Sequence, residues 1–207
     1  MLVLVTAMVI SMALIPLAAR MAPAVGMIDR PDARKVHAVP IPRVGGIGIV
    51  IGALVPMVLV AEADDLSVAF AIGGVALLLI GAWDDVEALD PYVKLLGQIV
   101  AAALVVYYGD LYVRYFPFLG HDPLPAWIGQ PFTVFALVGA INALNTSDGL
   151  DGLAGGESVL SLAGVTYLAY QADGVSALML AAATIGGVFG FLRYNSHPAR
   201  VFMGDSG

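Results

Sequence analysis

Long apolar runs alternate along the chain with short polar segments. The runs are Leu2–Ala19, Gly46–Ala61, Leu66–Trp83, Val93–Tyr108, Phe132–Leu144, Leu153–Tyr170 and Val175–Tyr194. Most of them approach the ~20 mostly apolar residues that a membrane-spanning helix needs, and the short fifth run would either tilt or thin the bilayer locally. The pattern predicts an all-α fold, a polytopic transmembrane helical bundle of about seven spans in a single membrane domain, residues 1–207.

The basic residues predict the orientation of this bundle. A secretory signal peptide has basic residues before its apolar stretch, whereas here they follow the first run, which we therefore interpret as an uncleaved helix. Of the nine Lys and Arg residues, only Arg114 falls on the side opposite the others. The positive-inside rule then places the N-terminus outside, and Trp127, within residues 107–130, at the extracytoplasmic interface.

Composition agrees with a membrane protein. The chain is 60% hydrophobic and 12% charged, whereas soluble domains carry roughly 25% charged residues and could not cover so much apolar surface at this length. The absence of cysteine excludes disulfides and thiolate metal ligands. A net charge of −7 argues against a nucleic-acid partner, although the acids cluster in short loops.

Two of the polar segments on the predicted cytoplasmic side carry clusters of like charge. Residues 28–46 are basic, and they suit either a phosphate or anchoring to anionic headgroups. Residues 81–90 contain Asp84 and Asp85, adjacent carboxylates that repel each other unless a cation or a proton intervenes. A solvated helix end is the alternative for this pair.

Two further polar segments complete this face. In residues 142–156, Asp148 and Asp151 are three apart, so one helical turn would place both on the same side. Asp151 as the N-cap of the next helix is the structural alternative. Residues 194–207 combine an amide, a base, an aromatic ring and an acid at a membrane edge.

Oxygen ligands without cysteine suit Mg²⁺, which binds proteins through one or two carboxylates together with substrate phosphates. A metal-dependent reaction between a nucleotide diphosphate and a membrane lipid is therefore one interpretation of the four segments. The same spacing permits an ion transporter, although carboxylates at the ends of the spans, rather than within them, disfavour it.

The four segments resemble those of the polyprenyl-phosphate N-acetylhexosamine-1-phosphate transferases of glycosyltransferase family 4. The matching text is DRPDARKVHAVPIPRVGG, GAWDDVEALDP, NALNTSDGLDGLAGG and NSHPARVFMGDSG. The family includes transferases that start O-antigen lipopolysaccharide and teichoic-acid linkage synthesis, and the phospho-MurNAc-pentapeptide translocase of peptidoglycan synthesis. Its members transfer a sugar-1-phosphate from a UDP-sugar to undecaprenyl phosphate and release UMP. The resemblance implies a cell-wall biogenesis enzyme of the bacterial inner membrane, with its active site on the cytoplasmic face.

The resemblance also implies roles for individual residues. Asp84, Asp85 and Asp205 would be catalytic, with Asp84 and Asp85 on the lipid-phosphate side. Asp205 and Asp148 would hold Mg²⁺, with Mn²⁺ as an alternative ion. The implied substrate-binding residues are Asn145, Asp148, Asp151, Asn195, Phe202 (stacked on uracil), Lys94, Arg34, Lys35, His37 and Arg43.

The form RKVHAVPIPRVGG resembles the GlcNAc branch of the family more than the pentapeptide branch, so UDP-GlcNAc is the expected donor and UDP-MurNAc-pentapeptide the alternative. Family members usually exceed 300 residues, so the chain is expected to be the N-terminal part of a longer fold, and an inactive truncated membrane partner is a further alternative. The expected partners are the UDP-sugar, undecaprenyl phosphate, membrane lipid and a second copy in a homodimer, with no nucleic acid.

Overall fold

The computed structural model describes residues 1–31, 39–60, 64–116 and 122–207. The helices in this part of the chain are α1 (Leu2–Val25), α2 (Gly45–Val60), α3 (Asp65–Val86), α4 (Pro91–Tyr108), α5 (Ala126–Ser147), α6 (Leu153–Gln171) and α7 (Val175–Asn195). Two short strands, β1 (Ile28–Asp29) and β2 (Ile41–Pro42), pair antiparallel between α1 and α2. Each predicted run is a helix, so the all-α class is confirmed.

The chain is a polytopic helical membrane protein. Five of its helices, α1, α3, α4, α5 and α7, are long and apolar enough to cross a bilayer, and α2 is a shorter apolar helix. The number of spans and the side of the N-terminus stay predictions.

The fifth helix is longer than its apolar run. It begins at Ala126, before Pro131, and continues through Ser147. Proline is tolerated inside membrane helices because neighbouring groups satisfy the freed carbonyl. At the other end, the hydroxyls of Thr146 and Ser147 donate to Asn142 O and Leu144 O, over 2.7 and 2.9 Å. The helix thus continues through these polar residues, whose hydroxyls bond to carbonyls of the same helix.

Close packing of α1, α2 and α7 forms the core. A Cβ at Gly190 would lie 2.6 Å from the Cβ of Ser11, so only glycine permits this approach. The Ser11 hydroxyl donates to Gly187 O over 2.8 Å, and Phe191 is fully buried beside Ile15. Small residues thus let α1, α2 and α7 approach closely.

The ends of the helices form two groups. The C-terminal ends of α1, α3, α5 and α7 meet the N-terminal ends of α2, α4 and α6, and we call this the site end. At the opposite end, Asp64 caps α3 by accepting from Ser67 N over 2.8 Å. The Ser176 hydroxyl of α7 also donates to Asp64. Hydrogen bonds thus tie α3 to α7 far from the polar loops.

Candidate functional site

The turn at residues 202–207 docks on the first polar loop and on the start of α2. Phe202 N donates to Pro42 O over 2.9 Å, and the amides of Gly45 and Gly46 donate to Phe202 O and Met203 O over 3.0 and 2.8 Å. These carbonyls satisfy N–H groups that the first turn of a helix leaves without partners. A Cβ at Gly46 would overlap the turn's backbone, so the pair of glycines lets this turn reach the helix.

Asp85, in the last turn of α3, holds the same turn from the other side. Its Oδ1 accepts from Asp205 N over 2.9 Å and its Oδ2 from Ser206 N over 3.1 Å. The residue is only 5% exposed. Gly204 adopts φ +75°, and a Cβ there would lie 2.6 Å from Asp85 Oδ2. These are the contacts of a group that positions Asp205, and the predicted catalytic role of Asp85 stays a prediction.

Asp84 points away from Asp85, because successive residues of a helix project about 100° apart. Its Oδ1 accepts from Leu89 N over 2.7 Å, and its Oδ2 accepts from Lys94 Nζ over 2.9 Å. The adjacent carboxylates therefore do not share one cation, since each has its own donors. Lys94, one of the implied substrate-binding residues, lies in the first turn of α4.

Asp205 lies where α4 and α5 meet the docked turn. Its Oδ1 accepts from Lys94 Nζ, and from Asn145 Nδ2 over 2.8 Å. Lys94 thus bridges Asp84 and Asp205, so side chains from α3, α4 and α5 are linked to the partly buried carboxylate of the docked turn. This convergence brings together three of the four sequence motifs.

Asp148 and Asp151 occupy the turns between α5 and α6 instead of one continuous helical turn. Burial raises the pKa of Asp148, and the nearby carboxylates of Asp205 and Asp151 raise it further. Asp151 does not cap α6, whose N-cap is Gly152. Its Oδ2 instead contacts His197 Nδ1 over 2.9 Å and accepts from Ala199 N over 3.0 Å.

Asn195, at the end of α7, joins the third polar loop to the fourth. Its Oδ1 accepts from Gly152 N over 2.8 Å, and its Nδ2 donates to Val201 O over 3.0 Å. The residue is 2% exposed, so its amide groups hold two backbone segments together at the edge of the cavity described next.

Eight of the predicted site residues line one cavity of about 670 Å³ that is rich in polar side chains, whereas Asp84 and Lys94 do not line this polar cavity. Arg43 lies at its wall in an ion pair with Asp29, and Phe202 lines it as well. The predicted residues in its lining are Arg43, Asp85, Asn145, Asp148, Asp151, Asn195, Phe202 and Asp205. Arg34, Lys35 and His37 lie outside the described residues, so their predicted phosphate contacts stay predictions.

A second, mainly apolar cavity of about 400 Å³ opens among α3, α4, α5 and α6. Lys94 and Gln98 are its polar residues on α4. Four residues line both cavities: Asn145, Asp148, Gly204 and Asp205. A polar chamber and an apolar chamber therefore share one wall, and the wall carries two carboxylates.

A magnesium ion would find a partial ligand set at this wall. Within residues 1–31, 39–60, 64–116 and 122–207, no group of three or more His, Asp or Glu side chains could hold a metal by itself. The pair Asp148 and Asp205 nevertheless suits Mg²⁺, which usually binds through one or two carboxylates plus substrate phosphates. Burial and then the Asp205 carboxylate raise the pKa of Asp148, and a divalent cation between the two carboxylates would relieve their repulsion.

Sequence reasoning missed two participants. Asp29 pairs with Arg43 at the polar cavity, although it lies in the first motif as an acid beside several bases. Gln98 is buried within α4 and accepts from Asn142 Nδ2 over 2.6 Å. A side-chain amide inside a membrane span is costly unless it has a partner, and this signal could have found Gln98.

Comparisons with known proteins agree with the motifs. A family model described as "Glycosyl transferase family 4" matches residues 67–207. A relative from Bacillus subtilis, named probable undecaprenyl-phosphate N-acetylglucosaminyl 1-phosphate transferase, is 37% identical over 93% of this chain and 54% of its own length. A phospho-N-acetylmuramoyl-pentapeptide-transferase from a Thermoanaerobacter species is 33% identical over 80% of this chain and 56% of its own.

A third relative, the decaprenyl-phosphate N-acetylglucosaminephosphotransferase of Mycolicibacterium smegmatis, is 32% identical over 88% of this chain and 50% of its own length. The chain therefore spans about half the length of each of these curated relatives.

Proposed function

The chain belongs to glycosyl transferase family 4, and from this premise we propose that it transfers a sugar-1-phosphate from a UDP-sugar to undecaprenyl phosphate, with release of UMP. The observation that carries the proposal is the wall of Asn145, Asp148, Gly204 and Asp205 between a polar and an apolar cavity. A reaction between a water-soluble nucleotide and a lipid needs two such chambers that meet at the reacting phosphates.

The UDP-sugar would occupy the polar cavity. Phe202 lines it and offers a ring for the uracil base to stack on. Arg43 lines the same cavity, and a guanidinium can bind phosphate oxygens in pairs. Asn195 and Asp151 would contribute indirectly, because their polar atoms bond to the backbone at the cavity's edge.

Undecaprenyl phosphate would place the beginning of its chain in the apolar cavity and its phosphate near Lys94. A phosphate oxygen of the lipid attacks the phosphorus that bears the sugar, the bond between the two phosphates of the donor breaks, and UMP leaves. The second pKa of a phosphate monoester is ≈ 6, so the attacking oxygen is largely ionised at neutral pH. Asp84 then positions Lys94 and the lipid phosphate without having to remove a proton.

Magnesium would be held by Asp205 and Asp148 together with the phosphates of the donor. When bound, the ion supplies a Lewis acid that neutralises charge on the departing UMP. Asn145 and Lys94 hold the Asp205 carboxylate between them, and Asp85 fixes its backbone. The chain's own groups thus orient Asp205 before any ligand is present.

The distribution of basic residues supports a proposed placement in the cell. We place the enzyme in the bacterial inner membrane with the site end in the cytoplasm, because the basic loops belong to that end and cytoplasmic loops are enriched in Lys and Arg. This orientation puts the N-terminus outside. GlcNAc-1-phosphate is the expected transferred group, in agreement with the names of two of the relatives.

The test is Mg²⁺-dependent release of UMP by the full chain in lipid, with UDP-GlcNAc and undecaprenyl phosphate as substrates. Because a catalytic metal supplies several kcal/mol to the transition state, Asp205→Asn should lower turnover by about 100-fold or more. Gly164→Ala is the matched control, since a Cβ there has no neighbour within 4 Å.

Turnover by Asp205→Asn equal to that of the control would overturn the metal assignment. Transfer from UDP-MurNAc-pentapeptide alone would favour the alternative donor. An absence of transfer from both donors would refute the proposed activity of this chain, and cation flux in liposomes without a UDP-sugar would support a transporter instead.

A further inference from the structure

Little apolar packing holds the part of α5 that bears the site residues. Of the residues described in this helix, only Gly129 and Thr133 are buried. Both lie in the first turns, at the end opposite the site. Asn145 is in the last turn of α5 and Asp148 follows directly after it. The position of these two residues must therefore depend on polar contacts made by the C-terminal half of the helix.

Gln98 on α4 supplies such a contact. Asn142 Nδ2 donates to Gln98 Oε1 over 2.6 Å and to Val138 O, within its own helix, over 2.9 Å. Gln98 lies one helical turn beyond Lys94, and Asn142 lies one turn before Asn145. The hydrogen bond between Gln98 and Asn142 is therefore one turn deeper in the bundle than the contacts of Lys94 and Asn145 with the docked turn.

The loss of this hydrogen bond would be costly because Gln98 is buried. Gln98 is 4% exposed, and inside a bilayer no water replaces a lost partner. Interhelical hydrogen bonds of this kind make measurable contributions in membranes. Without the contact, the buried amide of Gln98 would lose its partner, and α5 could rotate or slide along α4.

We infer that Gln98 is a positioning residue, which acts through Asn142 to set the rotation and depth of α5 so that Asn145 reaches Asp205. The effect on α5 follows from the contacts alone. The effect on turnover rests on the proposed function, because only that function makes Asn145 and Asp205 part of a reaction.

A distance measurement tests the effect on α5 without any activity. The chain contains no cysteine, so nitroxide labels can be placed at will on Leu96→Cys in α4 and Ala143→Cys in α5, both exposed positions. Gln98→Leu and Asn142→Leu should each broaden or shift the distribution of label distances in lipid. Val100→Ala, a change on an exposed position of α4, is the control and should leave the distribution unchanged.

A double-mutant cycle tests the effect on the reaction. Gln98→Leu should lower kcat about 3- to 20-fold, the range that corresponds to interhelical hydrogen bonds in membranes, with little change in the KM of the UDP-sugar. In an Asn145→Ala background, Gln98→Leu should lower kcat hardly further, because its effect on kcat passes through Asn145. If Gln98→Leu acted through a general loss of stability, it would instead lower kcat by the same factor in both backgrounds.

An exchange of the two side chains provides rescue. Gln98→Asn alone leaves a gap, and Asn142→Gln alone is too long, whereas the double variant restores the total length of the pair and should recover most of the turnover. An unchanged label distribution in Gln98→Leu, or equal losses in both backgrounds of the cycle, would overturn the inference. If the unmodified chain transfers no sugar phosphate, the proposed function fails, and the label distances still decide the role of Gln98.

Discussion

Replacing Gly81 by Ala should displace the turn that carries Asp205 without altering any side chain of the site. A Cβ at position 81 would lie 2.6 Å from Ser206 Cα and closer still to the carbonyl of Asp205. Carbon atoms pack at about 3.5–4.0 Å, so α3 and the turn must separate by about 1 Å. The obstructing atoms belong to the backbone, so no flexible side chain can swing aside to make room.

This displacement should affect stability and turnover to different extents. Overpacking costs about 1–3 kcal/mol of stability, and the better helix propensity of alanine offsets up to about 1 kcal/mol of that. Turnover is far more sensitive, because a shift of about 1 Å in a positioned group can cost about 100-fold in rate. The expected signature is a large loss of activity with a small loss of stability.

The assay compares Gly81→Ala with Gly164→Ala, in which the same substitution meets open space on α6. UMP release and thermal unfolding are measured for both variants in the same lipid. The control should keep its turnover. If Gly81→Ala retains more than half of the unmodified turnover, the close contact between α3 and the turn does not position Asp205, and the reasoning is wrong.

Two further predictions concern titratable groups outside the helices. Asp64→Ala should lower the free energy of unfolding by about 0.5–2 kcal/mol, as expected for a lost N-cap, with turnover unchanged because Asp64 lies at the opposite end. The Ser176 hydroxyl holds the pKa of Asp64 below its usual range. The contribution of Asp64 to the free energy of unfolding is therefore present above the usual pKa and disappears as pH falls through the lowered pKa. A loss of stability in Asp64→Ala that does not depend on pH would contradict this. Asp148→Asn should raise the thermal stability of the metal-free chain at neutral pH. Burial, Asp205 and Asp151 raise the pKa of Asp148, so its folded-state penalty grows as pH rises from the usual pKa to the raised one. Mg²⁺ should then stabilise the unmodified chain more than the variant, and a larger Mg²⁺ effect on the variant would refute the ligand assignment.

Hydrophobic periodicity predicted the helices well, because a bilayer demands long uninterrupted apolar runs. The apolar run Phe132–Leu144 is shorter than α5, because Pro131 and the polar residues after Leu144 interrupt the run but not the helix. Local signals of this kind mark helix ends in water, whereas α5 passes through the proline and its hydroxyl groups bond to its own carbonyls.

The residue types of the site could be predicted from the motifs, but their contacts could not. The motifs placed Asp84 and Asp85 side by side as one acidic pair, and the helix separates them: one binds Lys94 and the other binds backbone amides. The ion pair of Asp29 with Arg43 depends on the pairing of β1 with β2, and the hydrogen bond of Gln98 with Asn142 depends on how α4 and α5 pack. No spacing in the sequence encodes these pairings.

The hydrogen bonds between Asp85 and the turn at Asp205 affect the order in which the site forms during synthesis. Some 120 positions separate these two residues along the chain, and a ribosome produces them in that order. While the intervening helices enter the membrane, Asp85 has neither of its amide donors, and Lys94 has only Asp84 as a partner. The wall that Asn145, Asp148 and Asp205 form consequently assembles only after α7 and the turn that follows it have been synthesised, so the site residues come together after the helices between them have entered the membrane.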